Sequence, residues 1–341
     1  MQEQEEPENG SVIQDPKNIP PPPILHGMDG EQIPLHPVKM NAKANIAPTT
    51  TIRHMRSALR RNLPHFFRLD SHKGEAALIG TGPSVEGQVD AIRERQADGC
   101  MIFAIKGSHD WLIERGIMPN VAVAVDGQEK IAKLYQKPDV TITYLISSQC
   151  HPLVYDALDG YNVVVWNCYT KKVMKYWQKW LKRKKRNDTF HFVAGGSTSG
   201  LRSITLAYLM GFRRINLFGF DSCLNNEKDQ LLKITGEKNE KEMMVVVVDD
   251  RHFFCDPAMS CQGNELMPQV KGMTDMQIMC WGDGFIPYVV HQAACRGDWQ
   301  FVFEGEDWWK LDDPRRGSIA VEPDPELAMA EMDDQIAALE A

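Results

Sequence analysis

The residues best suited to chemistry stand at the ends of short apolar runs. Gly80-Thr81-Gly82-Pro83-Ser84 follows the run 76–79 and precedes a helical stretch, 85–96. A glycine-rich turn between a strand and a helix is where an α/β protein holds a phosphate: the backbone approaches closely, and amides at the helix start face the anion. Ser84 is placed to cap that helix, with Glu86 in its first turn. The third glycine of a dinucleotide fingerprint is missing and no Gly-Lys-Ser/Thr follows, so a plain tight turn stays open. Gly195-Gly196-Ser197-Thr198-Ser199 has the same character ahead of the helical stretch 199–210. Its hydroxyls and amides suit a phosphate, carboxylate or ribose; the alternative is a simple N-cap by Ser197 or Thr198.

Two acids complete the set. Asp126 ends the apolar run 121–125, and Asp221 ends 215–220. A carboxylate at the end of a buried strand is costly unless it is paired, hydrogen-bonded or near a metal. Facing one anionic pocket, the two would suit Mg2+ bridging carboxylate and phosphate oxygens; otherwise each caps the turn that follows it. His252, beside Asp249 and Asp250, is the candidate for acid–base work, with His291 behind it and a structural role as the alternative for both. Cys255 and Cys261 have no identifiable partner and read as packing residues.

The elements that must position these residues alternate. Strand runs at 76–79, 101–105, 121–125, 141–146, 163–166, 190–193 and 215–218 are apolar on both faces, as buried parallel strands are. Helical patterns such as 85–96, 109–115 and 199–210 fill the intervals, which predicts a Rossmann-like, doubly wound, mainly parallel sheet. Ligands in such sheets bind at the carboxyl ends of the strands. Lys106-Gly-Ser108, Ser147-Ser-Gln149 and Asn167 therefore join the two glycine turns and the two aspartates in one polar mouth.

Around this domain, taken as 46–223, the chain changes character. Residues 1–45 are polar and proline-rich, with Pro20 to Pro23 in a row, and read as a disordered leader. A capped helix is expected over 49–62, with Ile52, Met55 and Leu59 at helical spacing. The basic stretch 171–186 can bury Val173, Tyr176, Trp177 and Trp180 on one face, leaving its cations solvated or facing an anionic ligand. After Cys223 the alternation breaks, and 224–310 reads as an α-rich cap over the strand ends that supplies substrate contacts. Within it are a strand at 243–248, helices at 269–280 and 287–295, and a strand at 299–303. Residues 311–341 form an acidic tail.

Composition narrows the function classes. With a net charge of −8 over 341 residues, a nucleic-acid partner is not expected. No apolar run has the length to cross a bilayer, so no membrane partner is expected. Eight cysteines without a Cys-x-x-Cys pair read as reduced thiols of a cytoplasmic protein. A homo-oligomer stays open.

In order, these residues resemble the MptE-like 6-hydroxymethylpterin diphosphokinase family. Ile79-Gly-Thr-Gly-Pro-Ser84 is similar to its opening Gly-x-Gly-Pro-Ser, and residues 103–126, with Gly116-Ile-Met-Pro119 and the strand ending in Asp126, to its second block. Residues 195–221, from Gly-Gly-Ser to Gly219-Phe-Asp221, resemble the third. Thr198 stands where a valine is common, and Phe220 replaces a frequent glutamine. The same domain type resembles motility accessory factors and, in fold, bacterial sialyltransferases that use CMP-sugars. The resemblance implies a transferase moving diphosphate from ATP to a hydroxymethyl acceptor with Mg2+. The glycine turns would hold phosphates, and Asp126 and Asp221 the metal. The alternatives are a CMP-sugar glycosyltransferase with a glycan acceptor, in which His252 activates the hydroxyl, and a non-catalytic nucleotide-binding scaffold.

Overall fold

The computed structural model describes residues 25–26, 32–33, 46–184, 192–224, 244–249 and 251–305. The chain divides into two compact units, Met1–Asn41 with Asp313–Ala341, and Ala42–Asp312. In the first, strands β1 (Leu25–His26) and β2 (Gln32–Ile33) pair antiparallel. The expected leader otherwise falls outside the described residues, as do the acidic tail and the stretch 225–243.

In the second unit the strands are β3 (Glu75–Ile79), β4 (Met101–Ile105), β5 (Val121–Ala124), β6 (Thr143–Ser147), β7 (Asn162–Cys168), β8 (Phe192–Val193) and β9 (Arg214–Phe218), then β10 (Met244–Val248), β11 (Arg251–Cys255), β12 (Gln277–Cys280) and β13 (Phe301–Val302). The helices are α1 (Pro48–Arg60), α2 (Val89–Ala97), α3 (Ser108–Glu114), α4 (Pro152–Ala157), α5 (Lys171–Lys184), α6 (Ser199–Leu209), α7 (Pro257–Lys271) and α8 (Phe285–Cys295). Among the described residues one sheet of nine strands runs β13-β12-β9-β3-β4-β5-β6-β7-β8, with every neighbouring pair parallel. Strands β10 and β11 form a separate antiparallel ribbon.

The two-residue period of a strand divides the core into two layers. Ala76, Leu78, Phe103, Ile105, Val121 and Val123 pack on one side with Leu201 and Ile204 of α6, Leu266 of α7 and Ile286 of α8. Their neighbours Ala77, Ile79, Ile102, Ala104, Ala122 and Ala124 pack on the other with Ile92 of α2, Trp111 of α3 and Val154 of α4. Covering both faces is what makes these strands continuous apolar runs, and it yields the expected doubly wound α/β architecture. Met55 of α1 meets Val173 and Trp177 of α5, flanked by Leu59, Tyr176 and Trp180, so the basic helix buries the aromatic face expected of it. Among the described residues no helix is long and apolar enough to cross a membrane.

The C-terminal segment departs from expectation. The helix expected over 269–280 does not form: α7 ends at Lys271, Gly272 follows, and Gln277–Cys280 is strand β12. A buried run of four residues cannot be assigned by periodicity, because a strand and one helical turn look alike over that length. Beyond contributing α7 and α8, the segment thus extends the sheet by β12 and β13 and carries the strand–helix alternation past Cys223. Pro287 lies in the first turn of α8, where its missing N–H costs no helical bond.

Candidate functional site

Strand order locates the site. From β3 the chain steps outward through β4 to β8, then returns through α6 to lay β9 on the opposite side of β3. Ligands of open α/β sheets bind outside the carboxyl ends of the strands at such a reversal. Three turns meet here: Gly80–Ser84 after β3, Gly219-Phe-Asp221 after β9, and Trp281-Gly282-Asp283-Gly284 after β12.

Asp221 lies between them, 1% exposed. Its Oδ2 accepts hydrogen bonds from the Ser84 backbone N–H at 3.1 Å and the Ser84 hydroxyl at 3.0 Å. Burial pushes its pKa up; the two Ser84 bonds oppose this, and the neighbouring charge of Asp283 adds to it. The glycines make room for the carboxylate. A Cβ on Gly82 would run into Asp221 Oδ2 and come within 2.7 Å of the Gly219 carbonyl, and one on Gly284 would stand 2.6 Å from Asp221 Cβ. A Cβ on Gly282 would meet Ser84 Oγ at 2.6 Å. Gly80 N–H and Gly82 N–H donate to Phe218 O and Gly219 O at 2.7 and 2.8 Å, which knits the turn to the end of β9. Ser84 does not cap a helix: Pro83–Gln88 is a 3-10 turn whose N-cap is Gly82. The turn expected to present donors to a phosphate instead directs the Ser84 amide and hydroxyl at the protein's own carboxylate.

The second glycine turn repeats this. Ser197 donates its N–H and its hydroxyl to Glu265 Oε2 of α7, both at 2.8 Å, and Gly196 N–H donates to Gln269 Oε1 at 3.2 Å. Thr198 is the N-cap, its hydroxyl accepting from Leu201 N–H at 3.3 Å.

Asp126 belongs elsewhere in the mouth. Its Oδ2 accepts from Lys106 Nζ and its Oδ1 from Gln128 N–H, both at 3.1 Å. Strand β5 lies three positions from β9 in the sheet, a separation of roughly 14 Å at about 4.8 Å per strand. Magnesium holds its ligands at about 2.1 Å, and at that strand separation the fold does not bring Asp126 and Asp221 together. The carboxylate next to Asp221 is Asp283. Among the described residues no group of three or more His, Cys, Asp or Glu could hold a metal ion. His252 is exposed on β11, while Phe253 and Cys255 turn into the cluster against Phe285. Strand alternation therefore puts His252 on the outer face of the ribbon, and among the described residues no hydrogen bond ties it to Asp126 or Asp221. Asp250 lies outside the described residues. At the ends of β6 and β7, Ser147, Ser148 and Asn167 are buried, and among the described residues both hydroxyls and the Asn167 side-chain oxygen lack a hydrogen-bond partner.

Gly282-Asp283-Gly284 was not among the expected site residues. Its signal, a Gly-Asp-Gly between an apolar run and a helix, was hidden by reading 277–280 as helical.

The profile of the family described as 6-hydroxymethylpterin diphosphokinase MptE-like matches residues 49–227, over half of the chain. The chain belongs to the MptE-like family. Among solved structures, the MAf glycosyltransferase of Magnetospirillum magneticum AMB-1 is similar, with a TM-score of 0.53 and 14% sequence identity. The match covers 75% of this chain and 43% of the other, so the likeness is one of fold and this chain spans less than half of that neighbour. A comparison with curated proteins finds no match. Family membership supports a transferase-like role.

Two further residues of these blocks have structural roles. Thr198 caps α6 with its hydroxyl. Phe220 is buried against Gly200, where an added Cβ would touch its ring at 3.0 Å. It packs α6 onto the sheet and offers the mouth no polar group.

Proposed function

We propose that this MptE-like chain transfers diphosphate from ATP to the hydroxymethyl group of a pterin, with Asp221 as the catalytic carboxylate. The observation that carries the proposal is a buried acid with a raised pKa at the β3/β9 reversal, anchored by Ser84 and beside Asp283. In the reaction the acceptor hydroxyl oxygen bonds to the β-phosphorus of ATP. The bond from that phosphorus to the oxygen bridging it to the α-phosphorus breaks, AMP leaves, and the hydroxyl proton goes to Asp221. A carboxylate made more basic by burial suits that proton transfer. Ser84 holds the carboxylate through two bonds to Oδ2 and leaves Oδ1 toward Gly284.

The donor set fits a magnesium ion that arrives with the nucleotide. One or two carboxylates plus substrate phosphates are its usual ligands, and Asp283 would supply one of them, which leaves Asp221 to take the proton. When bound, the ion would neutralise charge on the transferring phosphates. The unpartnered oxygens of Ser147, Ser148 and Asn167, further along the mouth, are suited to a ribose or base.

A thermal-shift series with ATP, GTP, CTP, CMP and a CMP-sugar, each with and without magnesium, tests the reading, because a ligand that binds the folded state raises Tm by mass action. Magnesium-dependent stabilisation by ATP is the expected result. A metal-independent response to CMP alone would transfer the assignment to glycosyl transfer on the same scaffold, and no response to any of them would leave a non-catalytic protein.

A further inference from the structure

A second concavity opens beside the β12 turn. It is a cavity of about 260 Å³ between α8 and the carboxyl ends of β12 and β13. That size is below the range of about 300–1,000 Å³ typical of small-molecule pockets and suits one fused ring better than a whole nucleotide.

Its chemistry is mixed in a particular way. Arg251 enters from the inner face of β11, its guanidinium 5.2 Å from the Phe253 ring centre and 5.1 Å from that of Tyr288. One of its N–H groups donates to the Asp283 carbonyl at 2.9 Å. Across the cavity, Glu304 accepts the Gly282 N–H through Oε2 at 3.1 Å, which leaves Oε1 to take further donors. Tyr288 and Phe303 supply aromatic walls, and His291 stands edge-on to Phe303 with ring centres 4.9 Å apart. A cation and an anion held at fixed positions between aromatic groups select a flat molecule with hydrogen-bond donors on one side and acceptors on another.

The cavity also adjoins the reaction centre. Gly282 and Asp283 line it, and Gly282 packs on Ser84, the residue that holds Asp221. Cys280 is in its wall too.

We infer that this cavity is the acceptor site, taking a pterin ring with Glu304 on the amino-pyrimidine N–H edge and Arg251 on the ring carbonyl, so that the hydroxymethyl group reaches toward Asp221. The inference rests on the diphosphotransferase reading above. In that geometry the ring is recognised from β11 and from the end of the edge strand β13, while the phosphates stay at the β3/β9 reversal.

The test is a titration of the full chain with 6-hydroxymethylpterin, followed by quenching of pterin fluorescence, for the wild type, Glu304→Gln and Arg251→Ala. Glu304→Gln keeps an acceptor for Gly282 N–H and removes the charge. The magnesium-ATP thermal shift of each variant, read in parallel, reports that the fold and nucleotide site are intact. The expected result is saturable binding by the wild type, at least tenfold weaker in both variants, with ATP shifts unchanged. Wild-type affinity in both variants would overturn the inference and leave the proposed reaction standing, with the pterin bound elsewhere. Absence of pterin binding by the wild type, with the ATP shift present, would overturn the inference together with the choice of a pterin acceptor.

Discussion

Replacing Asp221 separates what its charge does from what its shape does. Ala at this position removes the acceptor for the Ser84 N–H and hydroxyl. Leaving a partly buried donor unsatisfied costs about 1 kcal/mol or more, so below the unfolded carboxylate pKa, where no buried charge is relieved, Asp221→Ala is expected to lose about 2 kcal/mol. At roughly 2–4 °C per kcal/mol for a domain of this size, Tm falls by about 4–8 °C. Asn keeps an oxygen for Ser84 and discards the charge. Because burial raises the folded-state pKa of Asp221, the folded state binds a proton more tightly here than the unfolded chain does. The stability tied to that proton is fully present below the unfolded carboxylate pKa and is lost as pH rises through the folded one. The Tm of Asp221→Asn relative to wild type should therefore rise from pH 4 to pH 7, while its turnover drops by at least about 100-fold at pH 7 for want of a base. Differential scanning calorimetry across that pH range, with a coupled AMP-release assay, measures both. An Asn variant that grows less stable than wild type as pH rises would refute the argument, since it would mean that the carboxylate is better solvated folded than unfolded.

Other positions are equally open to measurement. Gly82→Ala pushes a Cβ into Asp221 and the Gly219 carbonyl and should cost about 1–3 kcal/mol by chemical denaturation, whereas Gly87→Ala, with nothing within 4 Å, should be neutral or mildly stabilising. Glu265→Ala frees the Ser197 N–H and hydroxyl at the α6 N-terminus, so inorganic phosphate should raise the Tm of this variant more than that of the wild type; equal shifts would show that Glu265 does not compete for that position. Brief maleimide labelling of the native chain, mapped by mass spectrometry, should modify exposed Cys295 first. It should spare Cys100, whose thiol burial pushes up to about 12, and buried Cys280.

The layered sheet was legible because each strand from β3 to β9 is apolar on both faces, a pattern that few other buried elements share. Residue types at the strand ends then named Asp221, Gly80 and Gly82 as parts of one mouth, since polar and glycine residues interrupting such runs mark where the chain leaves the core. The helix at 269–280 was misread because β12 closely follows the end of α7, and periodicity over four residues does not separate a strand from a continuing helix.

Local pattern dictated which residues would stand at strand ends, but not which ends would be neighbours. Strand order did that: placing β9 beside β3 brought Asp221 onto Ser84, and placing β12 beside β9 supplied Asp283, while three strand spacings kept Asp126 away. The same three-dimensional packing turned the two amide-rich turns toward Asp221 and Glu265 instead of leaving their donors free. Periodicity reports the environment of a residue one element at a time. Hydrogen-bond partners separated by 137 and 68 positions are chosen only when the whole sheet closes.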